Sequence, residues 1–241
     1  MKRKHIILLA SFIVLALIVL FCVRHNSGTI PFATLRSYQP LSNGRTWTYH
    51  SSALDGTSNI VIETCSGPVI LQGKTCYAMT VDNNGNDRSI TYENWSESGF
   101  AEYGSGDISD AEIYSQPAIL IPTKIKAGTE WSQSITTFGR SREIQGKILG
   151  FQTLTVAAGT FHNVLAIQIQ PISTESSSHS NMWKKIKDKL TNGSHSPTSF
   201  ISQNNTIIWF APGVGKVKED IAYDTIIGRA HLISELQKYT K

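Results

Sequence analysis

The 241 residues carry 22 basic and 18 acidic side chains, a formal net charge of +4, with 40% hydrophobic residues. Lys2, Arg3, Lys4 and Arg24 are the basic residues of the N-terminal end and no acidic residue precedes Asp55, so the chain beyond residue 25 balances at 18 of each sign. That balance argues against a nucleic-acid binder, whose phosphate contacts need a net basic face, and the remaining length suits one domain of about 200 residues with a real core.

The first element is the apolar run Ile6–Val23, flanked by Lys2, Arg3 and Lys4 on one side and Arg24 on the other. As a helix it reaches about 27 Å, enough to cross a bilayer. The basic excess before it predicts a cytoplasmic N-terminus, which places the chain from Asn26 onward in the periplasm or exterior. Its end, Leu20-Phe21-Cys22-Val23-Arg24, has no small-x-small cleavage site, which favours a retained anchor over a removed signal peptide. Cys22 raises lipidation as an alternative, against which stands the bulky Phe21 before it. The expected organisation is an anchor over 1–25, a linker over 26–37 and a β domain over 38–241, in a single-pass inner-membrane protein with its C-terminal domain outside the cytoplasm.

From Arg45 on, short β-prone stretches rich in Thr, Tyr, Val, Ile and Trp alternate with turn residues: first Arg45–Ser52, Ser58–Cys65, Cys76–Asp82, Arg88–Trp95 and Gly99–Tyr103. Their spacing predicts an antiparallel meander. Cys65 and Cys76 flank the turn formers Gly67, Pro68 and Gly73, so a disulfide across a hairpin is expected, contributing about 2–3 kcal/mol at most; two unpaired core thiols are the alternative. Asp82–Asp87 looks like an acidic calcium loop but lacks the spacing and terminal glutamate of an EF-hand, and Asn84-Gly85 is a strong hairpin signal, so a turn is expected.

Ala118–Ile121, Trp131–Thr137, Gly146–Val156, Asn163–Pro171, Thr206–Phe210, Lys216–Asp224 and Ile226–Leu236 continue the β pattern, with no helix-period stretch of a dozen residues. The absence of such stretches excludes the common α/β enzyme folds. The interruption at 173–199 is rich in Ser, Thr, Asn and His around a short basic stretch with Trp183, Ile186 and Leu190 on one helical face. It reads as a flexible insertion, or as a basic amphipathic foot against anionic lipid.

No catalytic constellation is evident. His50, His162 and His231 have no Ser, Cys or acidic partner at motif spacing, neither Gly-x-Ser-x-Gly nor His-Glu-x-x-His occurs, and Asp107, Asp110 and Glu112 lie in a Gly/Ser-rich stretch that reads as a solvated loop. Two cysteines without a histidine pair are an incomplete zinc set. No enzyme activity, metal or cofactor is therefore expected, with an envelope hydrolase as the remote alternative.

Four phrases carry more information: Tyr38-Gln-Pro-Leu-Ser-Asn-Gly-Arg-Thr-Trp-Thr-Tyr49, Pro122-Thr-Lys-Ile-Lys-Ala-Gly-Thr-Glu-Trp-Ser132, Val156-Ala-Ala-Gly-Thr-Phe-His-Asn-Val164 and Trp209-Phe-Ala-Pro-Gly-Val-Gly-Lys-Val217. The first two share Gly-x-x-Trp-Ser/Thr, a sign of internal duplication. In this order the phrases resemble a group of bacterial exported envelope proteins and lipoproteins of uncharacterised function. The resemblance implies an all-β fold with a strongly curved antiparallel sheet, similar to half-barrels that carry lipids or lipoproteins between membranes, and it supplies no catalytic residues.

Trp47, Tyr49, Trp131, Phe161 and Trp209 are then either core residues of the strands they adjoin or the lining of an apolar groove on the concave face. The expected function is a membrane-tethered, non-enzymatic domain that binds an apolar ligand, a lipid or lipoprotein, in envelope upkeep. The alternative is an interaction module of an envelope complex, which meets its protein partner through a sheet edge or the 173–199 insertion.

Overall fold

Val, Ile, Thr, Tyr and Trp suit a pleated, half-buried surface, and in the computed structural model the segments rich in them form twelve antiparallel strands. The structure describes residues 32–85, 87–137, 140–172, 205–225 and 228–240. The strands are β1 (Thr46–Ala53), β2 (Ser58–Leu71), β3 (Lys74–Asn83), β4 (Asp87–Ser96), β5 (Gly99–Ser105), β6 (Glu112–Pro122), β7 (Glu130–Thr137), β8 (Arg140–Val156), β9 (Gly159–Ile172), β10 (Asn205–Ala211), β11 (Gly215–Thr225) and β12 (Gly228–Tyr239). The expected anchor and the 173–199 insertion lie outside the described residues. Among those described, no helix is long and apolar enough to cross a membrane.

Hydrogen bonding runs in the order β6-β5-β4-β3-β2-β1-β12-β11-β10-β9-β8-β7. Two six-strand meanders, β1–β6 and β7–β12, are thus joined where β1 pairs with β12, and the sheet curls until its edges β6 and β7 meet. The result is a nearly closed barrel, more closed than the half-barrel expected from sequence. Side chains complete the closure. The Gln133 amide on β7 accepts from the Ile119 N–H of β6 at 3.0 Å and donates to the Ile119 carbonyl at 3.1 Å, in the manner of a neighbouring peptide group. The Trp131 indole donates to the same carbonyl at 3.2 Å, Gln116 donates to the Ser134 carbonyl, and the Thr136 N–H donates to Ser115 Oγ at 2.9 Å. Exposed strand edges invite foreign strands; here each edge is covered by the other.

The halves repeat a local device. Gly44 and Gly128 both take positive φ, 83° and 81°. Gly44 N–H donates to the Cys65 carbonyl while Cys65 N–H donates to Arg45; Gly128 N–H donates to Ile148 while Ile148 N–H donates to Thr129. Each glycine bends the chain into the first strand of its half, and Trp47 and Trp131 follow three residues later. The shared Gly-x-x-Trp pattern therefore marks equivalent positions in the two meanders.

The N-terminal segment belongs to the domain from before Tyr38. A helical turn (Phe32–Leu35) and a 3-10 turn (Arg36–Tyr38) lead into the barrel end. Leu35 and Tyr38 are buried with Trp95, Phe100, Leu120, Ile121, Ile148, Leu165, Ile167, Ile208 and Phe210. The Trp95 indole donates to the Gln39 carbonyl at 2.9 Å and Gly213 N–H to the Ser37 carbonyl at 2.8 Å, so one side-chain and one backbone bond tie this plug to β4 and to the β10–β11 turn.

The expected disulfide is absent: Cys65 and Cys76 are free and buried. Register explains why. Cys65 lies opposite Met79, Cys76 lies opposite Val69, and a register shift intervenes between Ser66 and Val69. Strand alternation then puts Cys65 on the inner face, packed with Trp47, Tyr49 and Met79, and Cys76 on the outer face, beside Leu71 and Tyr92. Thiols on opposite faces cannot approach to the roughly 4–7 Å between Cα atoms that a disulfide needs. The Asp82–Asp87 turn is as expected: Asn84 and Gly85 take positive φ, 56° and 72°, and Asp82 Oδ1 accepts from Gly85 N–H at 2.6 Å.

Candidate functional site

Beside the plug, the interior opens into a cavity of about 360 Å³ walled by β1–β4, β11 and β12. Thr57 and Ser58, exposed, stand at one end; Gln39, Glu63, Glu93 and Lys216, all buried, stand at the other. Val61, Met79, Val81, Ile221 and Leu232 supply apolar wall, Ser51 and Ser234 hydroxyls.

Strand registry delivers the charged groups. On β2 the inward residues are Asn59, Val61 and Glu63, while Ile60 and Ile62 face out at 40% and 42% exposure. On β4, Thr91 and Glu93 point in. On β11, Phe210 pairs with Lys216 and Trp209 with Lys218, leaving Val217 as an extra residue. This bulge puts Lys216 and Glu219, which straight alternation would place on opposite faces, on the same inner face.

Lys216 Nζ lies 2.5 Å from Glu63 Oε1 and 3.1 Å from Glu219 Oε2, with the Tyr49 ring centroid 5.1 Å away. Burial alone would lower the pKa of its ammonium; Glu219 and Glu63 outweigh burial and hold it above its ordinary value. The Tyr49 hydroxyl donates to the Lys216 carbonyl at 3.0 Å, and burial, followed by the charges of Glu63 and Glu219, pushes its pKa well up.

Glu93 has a different environment. It is 1% exposed, its Oε1 accepts from Thr91 Oγ1 at 3.2 Å, and its Oε2 has no hydrogen-bond partner. Burial first, then the neighbouring Glu102 and Glu63, drive its pKa well above the carboxylate range, against the pull of Lys216. Glu102, fully buried on β5, accepts from the Tyr114 hydroxyl. Gln39 also lines the cavity, is 3% exposed and leaves its Oε1 without a partner. Gln39 and Glu93, both lining the cavity, therefore each carry a buried oxygen without a hydrogen-bond partner.

Of the five aromatic residues expected to line a groove, Tyr49 lines the cavity and the other four do not. Trp47 is buried and its indole donates to the Val214 carbonyl at 2.7 Å. Trp131 lies across Gly146, where a Cβ would come within 2.0 Å of its ring. Phe161 packs at a tilt against Tyr239, 6.5 Å between centroids, and Trp209 sits under Lys218 Nζ at 5.8 Å. Trp47, Tyr49, Phe161 and Trp209 share one hydrophobic cluster, which serves as core, while Trp131 packs against another. Of the histidines, His50 and His162 are exposed, the latter 3.2 Å from Thr153 Oγ1, and His231 pairs with Asp220 at 2.8 Å.

Glu63, Glu93, Glu219, Gln39 and Lys216 are not among the site residues expected from sequence, although Gln39 and Lys216 stand in two of the four phrases. Their one sequence signal is polar residues at inward positions of β strands, visible only once register is known.

Fold and site together define an all-β barrel domain with a charged interior cavity. No family model matches the chain, and no curated protein matches it in sequence. Two solved structures are similar in shape. One is a candidate lipoprotein from Parabacteroides distasonis, 13% identical with a TM-score of 0.41; the other is a candidate exported protein with a YmcC-like fold from Bacteroides fragilis, 12% identical with a TM-score of 0.39. Each match covers 84% of this chain and 98% of the other.

Proposed function

We propose that this chain is a membrane-tethered β-barrel domain, displayed outside the cytoplasm, that binds a small polar molecule in its interior cavity without transforming it. The tether and its orientation rest on the apolar run 6–23 and its flanking charges. The observation that carries the binding reading is the pair of buried, unpartnered oxygens, Gln39 Oε1 and Glu93 Oε2, on two residues that line one cavity. A buried acceptor without a donor costs about 1–3 kcal/mol, which a ligand donor recovers.

A volume of about 360 Å³ sits at the small end of the range for ligand sites and suits a compact molecule better than a lipid. The charged residues at its buried end, Glu63, Glu93 and Lys216, point the same way. Native mass spectrometry of the full-length chain, gently extracted from its own membrane, tests this. A small-molecule adduct on wild type that disappears in Val61→Phe, which narrows the cavity, supports the proposal. Bare protein, a bound lipid, or an adduct indifferent to Val61→Phe overturns it; a bound protein chain would support the interaction-module reading.

A further inference from the structure

We infer that the cavity ligand is a small organic cation, a protonated amine with hydroxyl groups, whose ammonium is held between Glu93 and Gln39. This rests on the binding reading above and adds the chemical class of the ligand.

The charged residues that line the cavity are three carboxyl groups, Glu63, Glu93 and Glu219, and one ammonium, Lys216. Lys216 contacts Glu63 and Glu219 directly, at 2.5 and 3.1 Å. Glu93 has only the weaker Thr91 hydroxyl on Oε1. With Glu93 protonated, Glu63 and Glu219 outnumber Lys216 by one charge, which an entering cation offsets, and Gln39 Oε1 is an acceptor without a donor. An ammonium brings donors and charge together; a carboxylate or phosphate ligand would bring acceptors to Gln39 Oε1 and be repelled by the Glu63 and Glu219 carboxylates. Charge-assisted bonds of this kind are about twice as strong as neutral ones. Among the described residues no three His, Cys, Asp or Glu side chains are placed to hold a metal ion, which favours an organic cation over a metal. Ser51, Ser234, Asn59 and Asn83 extend the lining toward the open end and suit hydroxyl groups on the rest of the molecule.

A proton is coupled to this event. The ionisable groups acting on Glu93 are Glu102 on β5, Glu63 on β2 and Lys216 on β11; Tyr49 on β1, Cys65 on β2 and Glu219 on β11 complete the surroundings. With two acidic neighbours and burial, Glu93 holds its proton in the free protein. An entering ammonium favours the carboxylate, so Glu93 releases the proton to solvent as the ion pair forms.

Isothermal titration of the detergent-solubilised full chain with matched pairs tests the class: glucosamine against glucose, and ethanolamine against ethylene glycol. The expected result is binding of the amines at least about tenfold tighter than of their neutral partners. Repeating the titration in buffers of different ionisation heat should show about one proton released per amine. Glu93→Gln should weaken the amine about tenfold or more and abolish the proton release, and Gln39→Met should weaken it while leaving the release intact. Equal or tighter binding of the neutral partners overturns the cation assignment and leaves the cavity reading standing. Failure of both amines to bind, beside a native-mass adduct of another kind, overturns the class alone; failure beside bare protein removes both.

Discussion

The Trp47 indole N–H donates to the Val214 carbonyl at 2.7 Å, fastening the first strand of the barrel to the β10–β11 turn. Its inward neighbours do the same: Arg45 donates to the Gly213 carbonyl at 2.5 Å and Tyr49 to the Lys216 carbonyl at 3.0 Å. Two of the phrases that stand out in the sequence, around Trp47 and around Gly213, are therefore two sides of one bracket. Gly215 completes it with φ of +105°, where a Cβ would lie 2.8 Å from Gln39 Oε1 and 3.3 Å from Trp47 Nε1.

Trp47→Phe leaves the Val214 carbonyl with only the longer, 3.4 Å bond from Arg45, and Gly215→Ala forces a side chain into a left-handed position beside Gln39. Each should cost about 1–3 kcal/mol in denaturant unfolding. A change below the error of the measurement for both would dissolve the bracket.

Lys216 is 7% exposed and is the partner of Glu63 and Glu219. Lys216→Met leaves those carboxylates buried without their cation, and removing one partner of a buried pair costs about 3–5 kcal/mol. Adding Glu63→Gln should return part of the loss. Double-mutant unfolding would show the coupling; strictly additive effects would contradict it.

Glu93 gives a pH signature. Folded, it keeps its proton above pH 4.3, about where an unfolded glutamate loses it. The native state thus binds more protons, and stability falls as pH rises from there toward the raised folded value. Glu93→Gln should remove that slope, raising Tm at pH 7 by about 2–4 °C for each kcal/mol recovered, with the gain vanishing below about pH 4. Thermal melts across pH 3–8, about the usable range, decide it; a wild-type advantage at pH 7 would contradict the assignment.

The two described thiols should remain reduced. Burial pushes Cys65 up to about 11 and raises Cys76 as well, so both are poor nucleophiles in the folded protein. Alkylation should label them only after unfolding, and reductant should leave Tm unchanged. A mass lower by two hydrogen atoms before reduction would restore the disulfide.

The seam should be the softest part of the barrel, because side chains stand in for a ladder there. Gln133→Leu removes both of its bonds to Ile119 and should speed amide exchange at Ile119 with little effect on the β1–β12 junction. Uniform exchange changes around the barrel would argue against local closure.

The all-β class, the meander, the Asn84-Gly85 turn and the repeated Gly-x-x-Trp device were legible because residue propensity and turn chemistry are local. Closure was not. It depends on Gln133 and Trp131 reaching β6, a relation between residues that no short pattern links. The disulfide expectation failed on register: a shift between Ser66 and Val69 reverses which face each cysteine takes. The site was hidden for a related reason. Ile60 and Ile62 look like the buried face of β2 yet face out, which leaves Glu63 inside; and the bulge at Val217 turns Lys216 and Glu219 to one side.

The most direct test of a ligand site inside the barrel is an experimental structure of the full-length protein purified from its own membrane without exchange of small molecules. The account predicts a compact molecule in the cavity with donors on Glu93 Oε2 and Gln39 Oε1. Those oxygens satisfied by ordered water alone, or a cavity closed by its own side chains, would contradict it.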